Sequence, residues 1–409
     1  MHPTSSSVDY VTRVHTSPLE IDAAQWNALL NASDAPTPFM RHEYLSALHT
    51  SGSACAATGW QPQFVSLYDA DTEHTQGELL ASAPMYVKEH SYGEYVFDWA
   101  WARAYQEHGL RYYPKAVVAV PYTPVPGTRY LCKKGLQPNG VLREQLLFCE
   151  QHTLSSLHAL FISDTDKTAC DALQMMARQT VQFHWSNQTP KLGADGTPCP
   201  SGEIESYGSF DHYLATLTQD KRKKIRSERR KVAQTGITWK SAEGAAITSS
   251  DWEFFYRCYE RTYLEHGNAP YLTPAFFEAM ANTMPENWVM FTARHSGQPI
   301  ACSLIAIQPL QEIAYGRYWG AMARVDSLHF EACYYQPLEW CITHGYQRFE
   351  GGAQGEHKMA RGLLPVVTRS AHWLAQPQFA DAVARFLERE GAGIDHYVEH
   401  LEGRSPFRG

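Results

Sequence analysis

Apolar positions along the chain switch between a spacing of two and a spacing near 3.6, the marks of strands and helices. In the first half, residues 21–30 and 42–49 carry the helical spacing, and 64–68 and 79–87 the strand spacing. Residues 95–97 read as a strand leading into a helix over 99–108, which Gly109 closes as C-cap. A β-branched run over 116–120 ends at Pro121, and helix and strand then alternate over 140–152, 157–162, 169–177 and 181–185. In the second half, Ser209 is a candidate N-cap for a helix over 210–217. Helices follow over 221–234, 252–266 and 274–284, then strands over 288–293, 300–307 and 313–319. A long helix over 329–344, capped by Gly345, leads to a short strand over 348–350 and a glycine-rich loop. This alternation predicts an α/β layered fold with mixed central sheets.

The chain has 409 residues, more than one ordinary core accommodates. We expect an N-terminal domain over 1–190, a linker or insertion over 191–208 crowded with proline and glycine, and a C-terminal domain over 209–409. A faint repeat relates residues 105–112 to 342–349, each a helix end, a glycine stop and a strand start.

A net charge of −8 excludes a uniformly basic surface, so any nucleic-acid contact needs a local patch. DNA binding is not expected. The nine cysteines form no Cys-x-x-Cys pair, which argues against a zinc site or a disulfide framework. Residues 1–7 lack the apolar core of a signal peptide, and no apolar run approaches a membrane span. A cytoplasmic protein is expected.

Four segments carry candidate chemistry. The first is the basic run over 221–231, where Ile225 and Val232 share a buried stripe while Arg222, Arg226, Arg229 and Arg230 crowd one side. Like charges at this spacing repel by roughly 0.2–0.5 kcal/mol per pair. A face of this kind suits phosphates, with Arg222, Lys223, Arg226 and Arg230 as contacts; the plainer alternative is a solvated helix. The second is Glu350-Gly351-Gly352 with Glu356, His357 and Lys358 beyond it, a turn that exposes backbone N–H groups beside a base and a cation. The third runs from Tyr315 through Arg317 and Tyr318 to His329, Glu331, Tyr334 and Tyr335, at the carboxyl end of a strand. The fourth is the polar-aromatic block His90, Tyr92, Glu94 and Asp98 with the loop at Tyr122, candidates for acceptor recognition. Ser156 and His158 hint at a nucleophile, but no Gly-x-Ser-x-Gly elbow accompanies them.

Taken as a set, these segments resemble the FemAB-like, or predicted N-acyltransferase, family of the GNAT superfamily. The resemblance covers nearly the whole chain and includes residues 38–45, 90–101, 120–124, 222–230, 315–320, 328–336 and 348–358. The second half is also similar to Fem-type ligases that add amino acids to peptidoglycan precursors. The resemblance implies two GNAT-like domains and transfer of an acyl or aminoacyl group from acyl-CoA or aminoacyl-tRNA to an amine. That acceptor would be a peptidoglycan precursor or a small amine, and no tightly bound cofactor is implied. Where GNAT enzymes carry a Gln/Arg-x-x-Gly-x-Gly/Ala pyrophosphate loop, residues 321–327 read Ala-Met-Ala-Arg-Val-Asp-Ser. Within this picture Glu331, Glu356 or His357 would be the base, Lys358 or Arg317 would steady the oxyanion, and His90, Tyr92, Glu94, Asp98, Tyr122, Tyr315, Tyr318 and Tyr335 would hold the acceptor. Two alternatives are a non-catalytic GNAT-fold module that binds a peptidoglycan precursor or RNA, and a hydrolase built on Ser156 and His158.

Overall fold

A computed structural model describes residues 9–70, 77–191, 203–353 and 355–408. Residues 1–7 and most of the expected 191–208 segment lie outside the described residues; what is seen of the latter is flanked by a two-stranded pairing of Thr189–Pro190 with Ile204–Glu205.

The chain forms two compact units, one of residues 1–180, 271–276 and 368–394, the other of 181–270, 277–367 and 395–409. Neither is a continuous half: contacts change unit at 180/181, and the chain returns to the first unit twice.

In the first unit, Tyr10–His15, Phe64–Asp69, Leu79–Ala83 and Leu131–Cys132 make an antiparallel sheet. A second sheet sets Gln61–Pro62, Met85–Lys88, Lys115–Val118 and Ser156–Leu160 in spatial order. The single strand expected over 79–87 is therefore two. Pro84 has no N–H to give a ladder, and the chain changes sheet there. The strand expected over 95–97 is absent, because Tyr95 has φ +60° and Glu94 and Asp98 on either side turn inward to Lys115.

In the second unit, Ile237–Glu243, Trp288–His295, Gln298–Gln308 and Ile313–Ala321 form an antiparallel meander. Arg348–Ala353 joins Ile313–Ala321 in parallel, and residues 182–186 pair antiparallel with its far side. Ile225 and Val232 of the basic helix Gln219–Gln234 are buried, as their spacing predicts.

Both units contain the same turn of structure: strand, helix, parallel strand, antiparallel closing strand. In the first it runs through Lys115–Val118, Asn139–Gln151 and Ser156–Leu160, and residues 370–374 close it. The helix ends match closely. His152 stacks on Phe148 at 4.0 Å and bonds its carbonyl, as His344 stacks on Trp340 at 4.3 Å and bonds its carbonyl. A left-handed residue follows each, Thr153 and Gly345. Leu154 N–H then reaches Cys149 O as Tyr346 N–H reaches Cys341 O, both at 2.9 Å. The order of elements thus recurs in the two units, with residues 148–154 standing where 340–346 stand. The stretch after Gly109 leads into the first strand of the parallel pair, so 105–112 does not correspond to 342–349.

The closing strands are exchanged along the chain. Met176–Ser186 follows the first unit's parallel pair yet closes the second unit, and Leu364–Leu374 follows the second unit's pair yet closes the first.

Candidate active site

Strand pairing opens the site in the second unit. Ile313–Ala321 and Arg348–Ala353 are in register only over 313–315 and 348–350, and beyond Tyr315 and Glu350 they part at their carboxyl ends. Two irregularities bend them. Arg317 is an extra residue opposite Leu304 and Ile305, and the ladder with residues 182–184 shifts between Glu350 and Ala353. Gly351 is required there, since a Cβ would come within 2.4 Å of Leu363 and 2.8 Å of the Phe183 carbonyl.

The parted strands bound a cavity of about 290 Å³. Arg317, Tyr318 and Trp319 line it from one strand, and Phe349 and Gly351 from the other. His329, Cys333 and Tyr334 enter from the helix over 328–343. That helix is not uniform. Over Glu331–Tyr335 it widens to a π turn in which Gln336 N–H reaches the Glu331 carbonyl. The cause is Pro337, whose ring crowds the carbonyl four residues back and supplies no N–H. Ser303 Oγ donates to the Ala332 carbonyl at 2.5 Å, satisfying an acceptor in the widened turn.

His357 and Lys358 complete the lining from the short helical segment Glu356–Arg361. Lys358 is buried, and its ammonium donates to the Gly351 and Gly352 carbonyls at 2.6 and 3.2 Å. Burial lowers its pKa to about 8. His357 Nε2 lies 3.3 Å from the Tyr334 hydroxyl. Burial, then Arg361 and Lys358, push the His357 imidazole below its usual pKa, so it is neutral at pH 7. Burial and the neighbouring His357 lower His329 to about 4.

An ion pair holds this segment. Arg361, 2% exposed, donates to both Glu228 oxygens at 2.9 and 3.0 Å and to the His357 carbonyl at 2.8 Å, and lies 3.6 Å over the Phe330 ring. The Tyr335 hydroxyl also donates to Glu228.

The sequence candidates therefore separate. Arg317, Tyr318, His357 and Lys358 come together in the cavity. Glu331 does not line it: its Oε1 accepts from Arg229 at 3.1 Å and Gln336 at 2.8 Å, and burial raises its pKa despite Arg229. Tyr335 is turned to Glu228, and Tyr315 is buried outside the lining. Glu350 likewise points away, because Phe349 and Gly351 take the cavity side of the strand; burial raises its carboxyl to about 7 beside Arg348. Glu356 is exposed and accepts from Tyr397 at 2.9 Å and Arg404 at 3.3 Å.

On the basic helix, Arg229 turns inward to Glu331 and Glu339 and is not free for phosphate. Arg226 pairs with Asp211 and Arg222 reaches the Ala215 carbonyl, while Lys223 and Arg230 are exposed. Lys221, one position before Arg222, instead lines a second depression of about 230 Å³ with Glu356, His357 and Arg404. The basic helix and the segment after the glycine turn thus meet, through a different residue than expected. Ser303 and Cys333 carry no sequence signal for the cavity, being small residues in apolar runs. The alternation that puts Phe349 and Gly351 on one side was readable.

In the first unit, Glu94 and Asp98 are buried partners of Lys115 at 2.8 and 2.5 Å, and Tyr112 also donates to Asp98. Neither carboxylate is available to an acceptor. Burial would raise Asp98, but Lys115 and His158 outweigh it and hold its pKa well below the usual range. Tyr122 is buried, stacked on Tyr271 at 4.6 Å. Tyr92 is exposed, and its N–H reaches His90 Nδ1 at 3.2 Å. Ser156 sits 2.8 Å from His158, both sealed in the interior with His158 against His372, so the hydrolase reading has no accessible nucleophile.

A mixed sheet whose parallel pair parts over a cavity in the second unit, with the same strand order in the first, is the arrangement of a GNAT-type α/β fold. The chain belongs to the FemAB-like family, described as peptidoglycan biosynthesis/recognition, whose profile matches residues 17–409. The fold matches L-PGS from Bacillus licheniformis at TM-score 0.50 and 11% identity, over 90% of this chain and 97% of that one. It also matches the C-terminal domain of a putative lysylphosphatidylglycerol synthetase from Agrobacterium fabrum, at TM-score 0.50 and 9% identity, over 90% and 96%. A tandem GNAT protein from the clavulanic acid biosynthesis pathway aligns at TM-score 0.44 and 10% identity, over 90% and 99%. No curated protein sequence matches significantly. Among the described residues no helix is long and apolar enough to cross a membrane.

Proposed function

We propose that the chain is an N-acyltransferase whose cavity between the parted strands receives the donor carbonyl. The donor is an acyl-CoA or an aminoacyl-tRNA and the acceptor an amine, with a peptidoglycan precursor the class that the family description suggests. Donors of this kind fit a cytoplasmic site. One observation supports this most: the two strands part beside the only cavity, among the described depressions, that also holds two imidazoles, two phenols and two cations. An extended donor arm carrying its own amides can bond to such strand edges.

In this reading the acceptor nitrogen attacks the carbonyl carbon and gives its proton to neutral His357, whose other contact is the Tyr334 hydroxyl. Arg317 and Lys358 stabilise the oxyanion, each contributing roughly 3 kcal/mol. The C–S or C–O bond to the leaving group then breaks, and the leaving group takes the proton held by His357. The test is incubation of the purified chain with acyl-CoA and aminoacyl-tRNA panels and amine acceptors, read by mass spectrometry for the amide. A new amide whose rate falls at least 100-fold in H357A supports the reading. Acceptor binding without any amide from either donor class would replace it with the non-catalytic module.

A further inference from the structure

We infer that the depression beside the cavity, lined by Lys221, His357 and Arg404, is a phosphate subsite for the donor. The inference rests on the proposed transferase reading and deepens it, because His357 lines both the cavity and this depression. A donor whose carbonyl lies in the first would carry its phosphate into the second.

The chain builds this place deliberately. Thr218 N–H bonds the Pro406 carbonyl at 2.9 Å and Arg408 bonds the Leu217 carbonyl at 3.1 Å, tying the C-terminal segment to the start of the basic helix. That tie sets Arg404 opposite Lys221. Lys221 makes no ion pair among the described residues, and Lys224 is close enough to depress the His357 pKa. Arg404 is met by Glu356 at 3.3 Å, and Tyr397 holds the other oxygen of that carboxylate. The depression is therefore net cationic on a chain of charge −8. Glu356 occupies the place on Arg404 that a phosphate oxygen would take. The volume of about 230 Å³ admits a phosphate or a diphosphate. The subsite also lies apart from residues 321–327, where the usual pyrophosphate loop is lacking.

Coenzyme A and the 3′ end of an RNA share this phosphate chemistry, and binding distinguishes them. Calorimetry on the full chain uses coenzyme A, pantetheine and an RNA hairpin ending in CCA, with the variants K221A, R404Q and E356Q and the distant control K133A. We expect one phosphate-bearing probe to bind, weakened at least fivefold by K221A and by R404Q and unchanged by K133A. Each cation lost should lower the salt dependence by about one unit of slope. E356Q should tighten binding severalfold, an effect that a purely structural Glu356 would not produce. Pantetheine binding as tightly as coenzyme A with no RNA binding, no binding by either phosphate-bearing probe, or full affinity in both K221A and R404Q would overturn the subsite. Phosphate-dependent binding without amide formation would leave the subsite standing and remove the transferase reading instead.

Discussion

Replacing Arg361 by methionine should destabilise the second unit far more than an exposed ion pair would suggest. Arg361 and Glu228 are 2% and 8% exposed. Methionine fills the volume and keeps contact with Phe330, so packing changes little. What is lost is the only cation among the described residues that bonds Glu228, leaving a buried carboxylate whose remaining described side-chain partner is the Tyr335 hydroxyl. Breaking one side of such a pair costs about 3–5 kcal/mol. For a unit of about 200 residues, each kcal/mol moves the melting temperature by roughly 2–4 °C, so a drop on the order of 10 °C is expected by calorimetry. The loss should be partly rescued in the double variant E228Q/R361M. Catalysis should suffer as well, because Arg361 also holds the His357 carbonyl. A shift below 3 °C, or a double variant as unstable as the two single effects summed, would refute the reasoning.

Other outcomes follow from the same geometry. The rate profile should be bell-shaped: activity rises as His357 becomes neutral, below pH 6.5, and falls as Lys358 deprotonates near pH 8, so K358M should lack the alkaline limb in kcat/KM. His158 is buried with its pKa lowered to about 3, so below pH 6.5 the unfolded chain gains a proton there that the folded chain refuses until about pH 3. Stability falls across that window, and urea unfolding of H158Q should show an acid slope shallower than that of the parent by about 1.4 kcal/mol per pH unit. Gly320→Ala would set a Cβ 2.2 Å from the Cys258 carbonyl oxygen, where strand and helix meet backbone to backbone. It should cost at least ~1–3 kcal/mol in denaturant unfolding, and a neutral result would show that the helix can move away.

Much of this architecture was legible, and the exceptions have identifiable physical causes. Helices over 42–50, 99–107 and 219–234 obey their apolar spacing because one face meets a core. The strand read at 95–97 fails because a buried lysine recruits the acids on either side of it, and periodicity does not register such long-range pairing. Strands at Tyr10–His15, Ile237–Glu243 and Leu364–Leu374, and the helix Pro377–Glu402, went unassigned. Leu364–Leu374 has mixed burial, and its inward pattern emerges only once it pairs with Ser156–Leu160. At the site, the glycine turn and its His-Lys neighbour announced themselves. The acidic candidates did not hold their expected places: Glu331 and Glu94 answer to cations more than 20 residues away, a pairing set by folding and not by spacing.

The exchanged closing strands bear on how the molecule is made. The first unit lacks its last strand until residues 368–374 emerge, and by then nearly all of the second unit has been synthesised. A ribosome releasing the chain from its N-terminus would hold an unfinished sheet with the Ser156–Leu160 edge bare, open to pairing with other chains. Cutting the gene near codon 190 would yield that same open edge permanently, so separate expression of the halves should produce aggregates, while co-expression of both pieces could restore each sheet in trans.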